Sequence, residues 1–227
     1  MIVAGIATIP GRESCLTAAI ASLINQVDLL CISVNPGTEI LHHWKSAKTV
    51  FIPIHGTDER KFEGLKHCGF SDTYFSCDDD IIYPPDYVSR TLHGFENRPM
   101  IVTHHGRIIK SPLTTYYRYR GKQYCFRDDQ LKNDVFVNVP GTGVMAFRVR
   151  DITSLKNAFD PTFQRMADIH MGIFAQKNQL PIKVLPHQEN WLRDNTRSSK
   201  IPSIQFSSVD ESRQVELCNS IKWNLYK

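Results

Sequence analysis

Short apolar runs alternate with amphipathic segments over residues 1–90, and this alternation predicts the fold. The β-branched run IVAGIATI at 2–9 has the length of a buried strand, and Leu16, Ile20 and Leu23 follow it at helical spacing. Similar runs predict three further strands, at 28–35, 49–56 and 73–80. Pro53 indicates that the strand at 49–56 lies at an edge of the sheet or ends there. Such alternation is typical of an α/β fold in which helices flank a Rossmann-like, mostly parallel central sheet.

The remaining elements are predicted in the same way. Strands are expected at 100–110, 134–149 and 180–186, and helices at 58–68, 85–98, 166–179 and 209–225. The polar segment 187–203 is predicted to be a loop that becomes ordered when a ligand binds. No internal repeat or linker interrupts the chain, so residues 1–227 are predicted to form a single domain.

Charge and cysteine usage narrow the class of protein. The net charge is +4, but the Lys and Arg residues are dispersed, so no nucleic-acid partner is expected. The six cysteines are scattered without metal-binding spacing, which predicts reduced thiols in the cytoplasm. No apolar run reaches the ~20 residues that a membrane span needs. The closing helix, with Trp223 and Tyr226, either packs on the protein or contacts the cytoplasmic face of the inner membrane peripherally.

Three consecutive carboxylates, Asp78, Asp79 and Asp80, stand where the fourth predicted strand ends. Ligands of open α/β sheets bind beyond the carboxyl ends of the strands, so the triplet is expected to face a crevice. Repelling carboxylates there are best relieved by a divalent cation with oxygen ligands, Mg²⁺ or Mn²⁺. A solvated strand end, or a cap for the next helix, is the structural alternative.

Four stretches of the sequence together resemble a known enzyme family: ATIPGR at 7–12, VN at 34–35, DERKFEGL at 58–65 and DDDIIYPPDY at 78–87. They are similar to nucleotide-sugar-dependent glycosyltransferases of the A fold, close to the family-two inverting enzymes of bacterial capsule and lipopolysaccharide synthesis. The resemblance covers residues 1–195. It implies a glycosyltransferase A fold with a nucleotide-sugar-binding half at 1–98, an acceptor-binding half at 99–195, and a C-terminal loop and helix at 196–227.

The resemblance implies a metal site and its ligands. Asp80 would bind the Mn²⁺ or Mg²⁺ ion that bridges the donor diphosphate, and Asp78 would lie near the ribose, with Asp79 between them. His187 resembles a late histidine that completes metal or diphosphate binding in many enzymes of this fold. Arg193, in the predicted loop, would pair with the diphosphate.

Other donor-binding roles follow from the same resemblance. Thr8, Pro10 and Arg12 match the segment that cradles the nucleotide. Asn35 stands where an acidic residue often meets the base, so the identity of the base stays open. Lys61 matches a basic residue that contacts the base or the diphosphate, and a lysine on a solvated helix face is the alternative.

An inverting transferase needs a base that takes the proton from the acceptor hydroxyl. The family commonly places a Glu-Asp pair at the start of a late helix, and Asp168 is the only member of that pair here. Its alternative role is to stabilise the helix N-terminus through the helix dipole. Thr142 and Gly143 are expected in the acceptor pocket or at a strand bend, His105 as a ligand or a structural histidine, and Trp191 in the acceptor site.

These inferences lead to a predicted function and two alternatives. The leading hypothesis is a metal-dependent inverting glycosyltransferase that moves a sugar, from a UDP-sugar donor by preference, to a glycan or lipid-linked acceptor. A nucleotidyltransferase acting on sugar phosphates also uses a parallel sheet and acidic metal sites, but usually has a glycine-rich basic loop where this chain has TIPGRES. The third alternative is a non-catalytic nucleotide- or carbohydrate-binding domain of the same fold.

Overall fold

The structure, a computed structural model, describes residues 1–56, 58–117, 122–126, 130–152, 155, 158–159, 165–198 and 211–227. The helices in those residues are α1 (Glu13–Leu23), α2 (Tyr87–His93), α3 (Ala167–Lys177) and α4 (Ser212–Asn219). The strands are β1 (Ile2–Thr8), β2 (Leu29–Val34), β3 (Thr49–Pro53), β4 (Thr73–Asp78), β5 (Ile81–Ile82), β6 (Ile101–Thr103), β7 (Gly106–Arg107), β8 (Gln123–Tyr124), β9 (Val135–Val137), β10 (Val139–Pro140), β11 (Val144–Arg148), β12 (Ile182–Val184) and β13 (Arg193–Asp194).

Eight of these strands form one central sheet in the order β3-β2-β1-β4-β11-β6-β12-β9. Strands β1 to β4 run parallel to one another, as do β6 and β12, while β11 lies antiparallel between β4 and β6. Strand β9 is antiparallel to β12 at the edge. The predicted α/β fold, with a large and mostly parallel central sheet flanked by helices, is confirmed.

Strand β1 lies in the interior of the sheet, and its alternating side chains enter the cores on both faces. Ala4 and Ile6 pack in one cluster with Leu16 of α1, whereas Val3 packs in the other with Met171 of α3. Successive side chains of a strand point to opposite faces, so a strand that is covered on both sides must be apolar throughout. The continuous apolar run at 2–9 is explained by this position.

Strand β3 forms an edge of the central sheet, as Pro53 predicted. Proline has no N–H to donate to a neighbouring strand and is therefore tolerated at edges. Val34 of β2 is paired with Pro53 on the inner side, and β3 has no strand on its other side in the sheet order. The sequence therefore placed this strand correctly at the border of the sheet.

The segment Asp58–His67, where a helix is predicted at 58–68, is a 3₁₀ helix, and it lies close against the sheet. A Cβ atom added at Gly5 would fall 2.1 Å from the Lys61 carbonyl oxygen, and one added at Gly64 would fall 2.8 Å from Cβ of Cys31. The absence of side chains at these two glycines allows this close approach. As a result, Lys61 is carried to the end of β4.

Two further boundaries differ from prediction. Helix α4 ends at Asn219, so Trp223 lies beyond it, where its Nε1 donates to the Cys218 carbonyl oxygen at 2.7 Å. The segment predicted as a loop after residue 187 contains strand β13, which pairs with β5 directly after the Asp triplet. In the part of the chain that the structure describes, no helix is long and apolar enough to cross a membrane.

Candidate functional site

A cleft of about 1380 Å³ opens at the carboxyl ends of β1 and β4. Its volume exceeds the ~300–1,000 Å³ of common small-molecule pockets, so it has room for two substrates. Because β11 is antiparallel to β4, it begins where β4 ends, and Val144 lies opposite Cys77. The turn before β11 and the start of α3 therefore reach the same cleft as the Asp triplet.

Twelve of the residues singled out from the sequence line this cleft. They are Thr8, Arg12, Asn35, Lys61, Asp78, Asp79, Asp80, His105, Thr142, Gly143, Asp168 and Arg193. They come from the ends of β1, β2 and β4, the 3₁₀ helix, the turns after β6 and before β11, the start of α3, and β13. The structure thus brings both predicted halves of the site into one cavity.

Asp79 is held by the end of β1 and the turn after it. Its Oδ2 accepts a hydrogen bond from the Thr8 hydroxyl at 2.7 Å, and its Oδ1 accepts one from the Arg12 guanidinium at 2.7 Å. The carboxylate is nearly fully buried. Burial lowers the pKa of Arg12, but the charges of Asp79 and Asp80 outweigh this effect and raise that pKa, so the guanidinium stays charged. Asp79, the middle carboxylate of the triplet, therefore positions Arg12.

Asp80 is the carboxylate whose charge is least relieved. It accepts a longer hydrogen bond from Arg12, at 3.2 Å, and is 9% exposed. Burial, followed by the charges of Asp78 and Asp79, raises the pKa of Asp80 to about 7. Its backbone oxygen accepts from the Asn195 N–H at 2.7 Å, which ties the segment after β13 to the triplet.

Asp78 starts a chain of polar contacts that crosses the cleft. Its carboxylate pairs with Lys61, which is 3% exposed, and the Lys61 ammonium lies 3.4 Å from the Thr142 hydroxyl. Asp168 Oδ1 in turn accepts from the Thr142 hydroxyl at 2.7 Å and from its N–H at 2.8 Å. The burial of Lys61 excludes the alternative of a lysine on a solvated helix face.

Asp168 lies in the first turn of α3, partly buried at the wall of the cleft. Burial raises the pKa of Asp168, while the two hydrogen bonds from Thr142 oppose this shift. A carboxylate with a raised pKa, held by hydrogen bonds to one of its oxygens, is suited to accept a proton from a ligand. The favourable dipole of the helix N-terminus applies to the same position and does not conflict with this role.

Gly143 leaves room for the Asp78 carboxylate. A Cβ atom at this position would fall 2.0 Å from Asp78 Oδ2. The carbonyl oxygen of Gly143 accepts a hydrogen bond from the Tyr83 hydroxyl at 2.7 Å, and that hydroxyl accepts from the Asp78 N–H at 2.8 Å. Tyr83, which follows the triplet, therefore joins the end of β4 to the turn before β11.

Asn35 lies on the floor of the cleft and is fixed by backbone contacts. Its Nδ2 donates to the Thr8 carbonyl oxygen at 3.1 Å, and its Oδ1 accepts from the Gly56 N–H at 3.2 Å. These contacts connect the ends of β1, β2 and β3 at the carboxyl edge of the sheet. Asn35 thus has a structural role in addition to facing the cleft.

Three predicted site residues are not placed in the cleft, and these predictions are corrected. His187 is 2% exposed and faces the protein interior, where its Nδ1 lies 3.0 Å from the Leu185 carbonyl oxygen. Trp191 turns towards α2, because its Nε1 donates to Asp86 at 3.0 Å and the Arg90 guanidinium lies 4.4 Å from its ring centroid. Pro10 is exposed outside the cavity lining.

Sequence reasoning missed another part of the lining, on the wall formed by β7, the segment after it and α4. Arg107, Tyr116 and Gln214 contribute to it from β7, from the segment after it and from α4. Their positions in sequence gave no signal, since Gln214 is distant from every motif. The polar, aromatic composition around Tyr116 was the only hint.

The contacts of the three Asp side chains determine how well the triplet fits a divalent cation. Asp79 and Asp78 are directed to Arg12 and Lys61, so the carboxylates diverge. Within the described ranges, no group of three or more His, Cys, Asp or Glu side chains is arranged to hold a metal ion. Asp80 is the group that fits a cation, because its burial and its anionic neighbours leave its negative charge poorly compensated.

No family model and no curated protein matches this chain. The solved inositol-1-phosphate CTP transferase from T. maritima matches with a TM-score of 0.53 and 12% identity, over 96% of this chain and 94% of that one. The 2-C-methyl-D-erythritol 4-phosphate cytidylyltransferase from Thermus thermophilus gives 0.44 and 11%, over 96% of each chain.

A third match is the glucosyl-3-phosphoglycerate synthase from Mycobacterium tuberculosis, solved with Mn²⁺, UDP-glucose and phosphoglyceric acid. Its TM-score is 0.36 with 16% identity over 45% of this chain, and the match spans 42% of the synthase. The likeness to the CTP transferase shows that this chain has the same α/β fold. It shows the fold alone.

Proposed function

We propose that this chain is an inverting glycosyltransferase that moves a sugar from a nucleoside-diphosphate donor to an acceptor hydroxyl. The observation that carries the proposal is the position of Asp168 in the same cleft as Asp80, with one oxygen held by Thr142. Glycosyl transfer to a hydroxyl needs a base of this kind. Nucleotidyl transfer to a sugar phosphate does not, because the attacking phosphate is already ionised.

The donor is assigned to the side of the cleft formed by β1, β4 and the 3₁₀ helix. Arg12 and Lys61 provide positive charge there, and Asp79 and Asp78 hold these side chains in place. Preorganised cations stabilise the charge that develops on a departing diphosphate without a cost of reorganisation. Asp80 would hold Mg²⁺ or Mn²⁺, which when bound supplies further stabilisation of that charge.

The proposed step is a direct displacement. The acceptor oxygen forms a bond to the anomeric carbon while the bond from that carbon to the diphosphate oxygen breaks and its electron pair leaves with the diphosphate. Asp168 takes the proton of the acceptor hydroxyl. The contacts from Lys61 to Thr142 and from Thr142 to Asp168 connect the donor side to the base, so both are positioned by one network.

The remaining parts of the proposal concern the substrates and the setting. The donor is a UDP-sugar, and the acceptor is a glycan or lipid-linked glycan used in surface polysaccharide synthesis. The protein would work in the cytoplasm, at the inner face of the membrane where such acceptors are assembled. These assignments rest on the resemblance of residues 7–12 and 78–87 to family-two enzymes.

The proposal is tested by incubating the protein with a panel of nucleotide sugars and Mn²⁺ and measuring release of nucleoside diphosphate. Asp168→Asn is expected to lower the transfer rate by about 10²–10⁴-fold, the usual contribution of a general base. Asp80→Asn is expected to abolish transfer, because the carboxylate proposed to hold the metal ion is lost. The exposed Glu39→Gln is the matched control with the same loss of charge. Normal transfer by Asp168→Asn would contradict the assignment of the base.

Nucleotidyl transfer is the second candidate, and the fold shared with the CTP transferase favours it. It would release pyrophosphate when the protein is given CTP or UTP together with a sugar phosphate. Transfer of this kind should survive Asp168→Asn, because no proton has to be removed. Absence of both products would favour the non-catalytic binding domain.

A further inference from the structure

The wall of the cleft opposite the donor side is built from β7, the segment that follows it, and α4. Arg107 donates to the Tyr116 carbonyl oxygen at 2.6 Å, and its guanidinium lies 4.5 Å from the centroid of the Tyr116 ring. Glu211, directly before α4, accepts from the Tyr117 N–H at 2.8 Å, and Asn219 at its end donates to the Leu113 carbonyl oxygen at 2.9 Å. Both ends of α4 are therefore fastened to this wall.

Two buried polar atoms in this wall have no hydrogen-bond partner among the residues that the structure describes. They are the Tyr116 hydroxyl and the Gln214 Oε1, and both side chains line the cleft although each residue is only 5% exposed. A buried polar group without a partner lowers stability by about 1–3 kcal/mol, so such groups are rare unless a ligand completes them. Together with the charge of Arg107, unpaired among the described residues, these two atoms support a binding role for this wall.

The Tyr116 hydroxyl lies within the electrostatic reach of the base. Burial raises the pKa of Tyr116, the charge of Arg107 lowers it, and the charge of Asp168 raises it. Both charged groups therefore act on this hydroxyl. A molecule that hydrogen-bonds Tyr116 would be held in the cleft that Asp168 also lines.

The two sides of the cleft differ in how their cations are paired. Arg12 and Lys61 on the donor side form ion pairs with the Asp triplet. Arg107 has no carboxylate within ion-pair distance among the residues that the structure describes; it contacts a carbonyl oxygen and an aromatic ring instead. Its positive charge is thus available to a ligand in the cleft, and a guanidinium suits a carboxylate or a phosphate.

We propose that Arg107, Tyr116 and Gln214 form an acceptor subsite for an acidic sugar. Arg107 binds the carboxylate or phosphate of that sugar. The Tyr116 hydroxyl and the Gln214 side chain bind its hydroxyl groups and present the reacting one to Asp168. This assignment rests on the proposed function for the identity of the bound molecule as an acceptor, whereas binding of an acidic sugar can be measured without turnover.

The test is a binding titration of two sugars that differ only in the acidic group. The probes are p-nitrophenyl β-D-glucuronide and p-nitrophenyl β-D-glucoside, with glucose 6-phosphate added to separate a phosphate from a carboxylate preference. The glucuronide, the phosphate or both should bind about tenfold more tightly than the glucoside, as a charge-assisted hydrogen bond supports. Equal affinity for the neutral and both acidic probes would overturn the proposal.

Variants separate this subsite from a general effect of positive charge. Arg107→Gln should abolish the preference for the acidic probe, and Arg107→Lys should keep part of it. Tyr116→Phe should weaken the binding of all probes several-fold while keeping the preference for the acidic probe. Glu39→Lys, which adds positive charge at an exposed position outside the cleft lining, is the control that should change neither the affinity nor the preference. If the Arg107→Gln variant has the melting temperature of the parent and still prefers the acidic probe, the proposal is also overturned.

The outcome is distinguishable from failure of the proposed function. If no nucleotide sugar is consumed but the acidic probe is preferred and Arg107→Gln abolishes this preference, the glycosyltransferase proposal fails and the subsite stands. If nucleotide sugars are consumed and the neutral probe binds equally well, the function stands and the acidic subsite fails. Consumption of nucleotide sugars therefore tests the proposed function, and binding of the probes tests the acidic subsite.

Discussion

The donor and acceptor sides of the cleft use polar residues in opposite ways. On the proposed donor side, Arg12 and Lys61 form ion pairs with the Asp triplet, which hold these two cations in place in the folded structure. On the acceptor side, Tyr116 and Gln214 keep buried atoms without partners. Among the described residues, the cations Arg12 and Lys61 of one wall are paired with carboxylates, whereas Arg107 of the other wall has no carboxylate within ion-pair distance. The buried Arg12 Nε, like the Tyr116 hydroxyl and the Gln214 Oε1, has no hydrogen-bond partner there.

The largest expected effect comes from breaking the donor-side ion pairs. Arg12→Met leaves Asp79 and Asp80 buried without their cation, and breaking a buried pair in this way commonly lowers the free energy of unfolding by about 3–5 kcal/mol. Chemical denaturation monitored by fluorescence measures this loss. Arg12→Lys, which keeps the charge, should recover part of it. A variant Arg12→Met as stable as the parent would show that the donor wall is not held by these pairs.

The next largest effect is expected at Gly143, which leaves room for the Asp78 carboxylate in the cleft. Gly143→Ala places a Cβ atom 2.0 Å from Asp78 Oδ2, so the carboxylate must move away from Lys61. We expect donor affinity to fall about tenfold, on the scale of one charge-assisted contact, measured by nucleotide titration. Gly69→Ala is the control, since its Cβ would meet Asp72 Oδ2 at an ordinary 3.6 Å. Equal effects of the two substitutions would count against a specific role for Gly143.

The pH dependence of transfer reports on the acceptor side. Burial raises the pKa of Asp168, so the transfer rate should fall as the pH is lowered through a value above the 3.8 of an ordinary aspartate. The effect on stability has the opposite sign, because the folded protein binds this proton more tightly than the unfolded chain and stability is lost as the pH rises through the raised pKa. Asp168→Asn should have the strongly lowered transfer rate stated above and, at neutral pH, be at least as stable as the parent. Calorimetry that finds it much less stable would contradict this account.

The smallest expected effect is at Gln214. Gln214→Met keeps the side-chain size and removes a buried oxygen that has no partner, so the free energy of unfolding should stay the same or rise by up to about 1 kcal/mol. The affinity for the glucuronide probe should fall at the same time. A clear loss of stability would show that Gln214 supports the fold, and the contrast between the two walls would then be weaker than described.

Much of the donor side could be predicted from local sequence. The run at 2–9 predicted β1, Pro53 predicted an edge strand, and the Asp triplet after β4 predicted a crevice. These features depend on residues that are close in the chain, and the geometry of a parallel sheet places strand ends together. The acceptor side was harder, since Arg107, Tyr116 and Gln214 are brought together from distant segments.

Two predictions failed for a reason of the same kind. His187 and Trp191 follow a strand that ends near the ligand edge, and their residue types suit a site. The structure turns both away from the cleft, because His187 is enclosed by the protein and Trp191 binds Asp86 and Arg90 beside α2. Sequence position indicates which strand end a residue follows but not the direction of its side chain.

The sequence by itself determined the α/β architecture and the place of the carboxylates, because periodicity and turn residues act over short distances. Only the tertiary structure decided how the three carboxylates are divided: Asp79 to Thr8 and Arg12, Asp78 to Lys61, and Asp80 left with its charge least relieved. It also placed Thr142 and Asp168 across from them, by inserting β11 antiparallel to β4. These pairings depend on contacts between residues far apart in the chain, which no local pattern records.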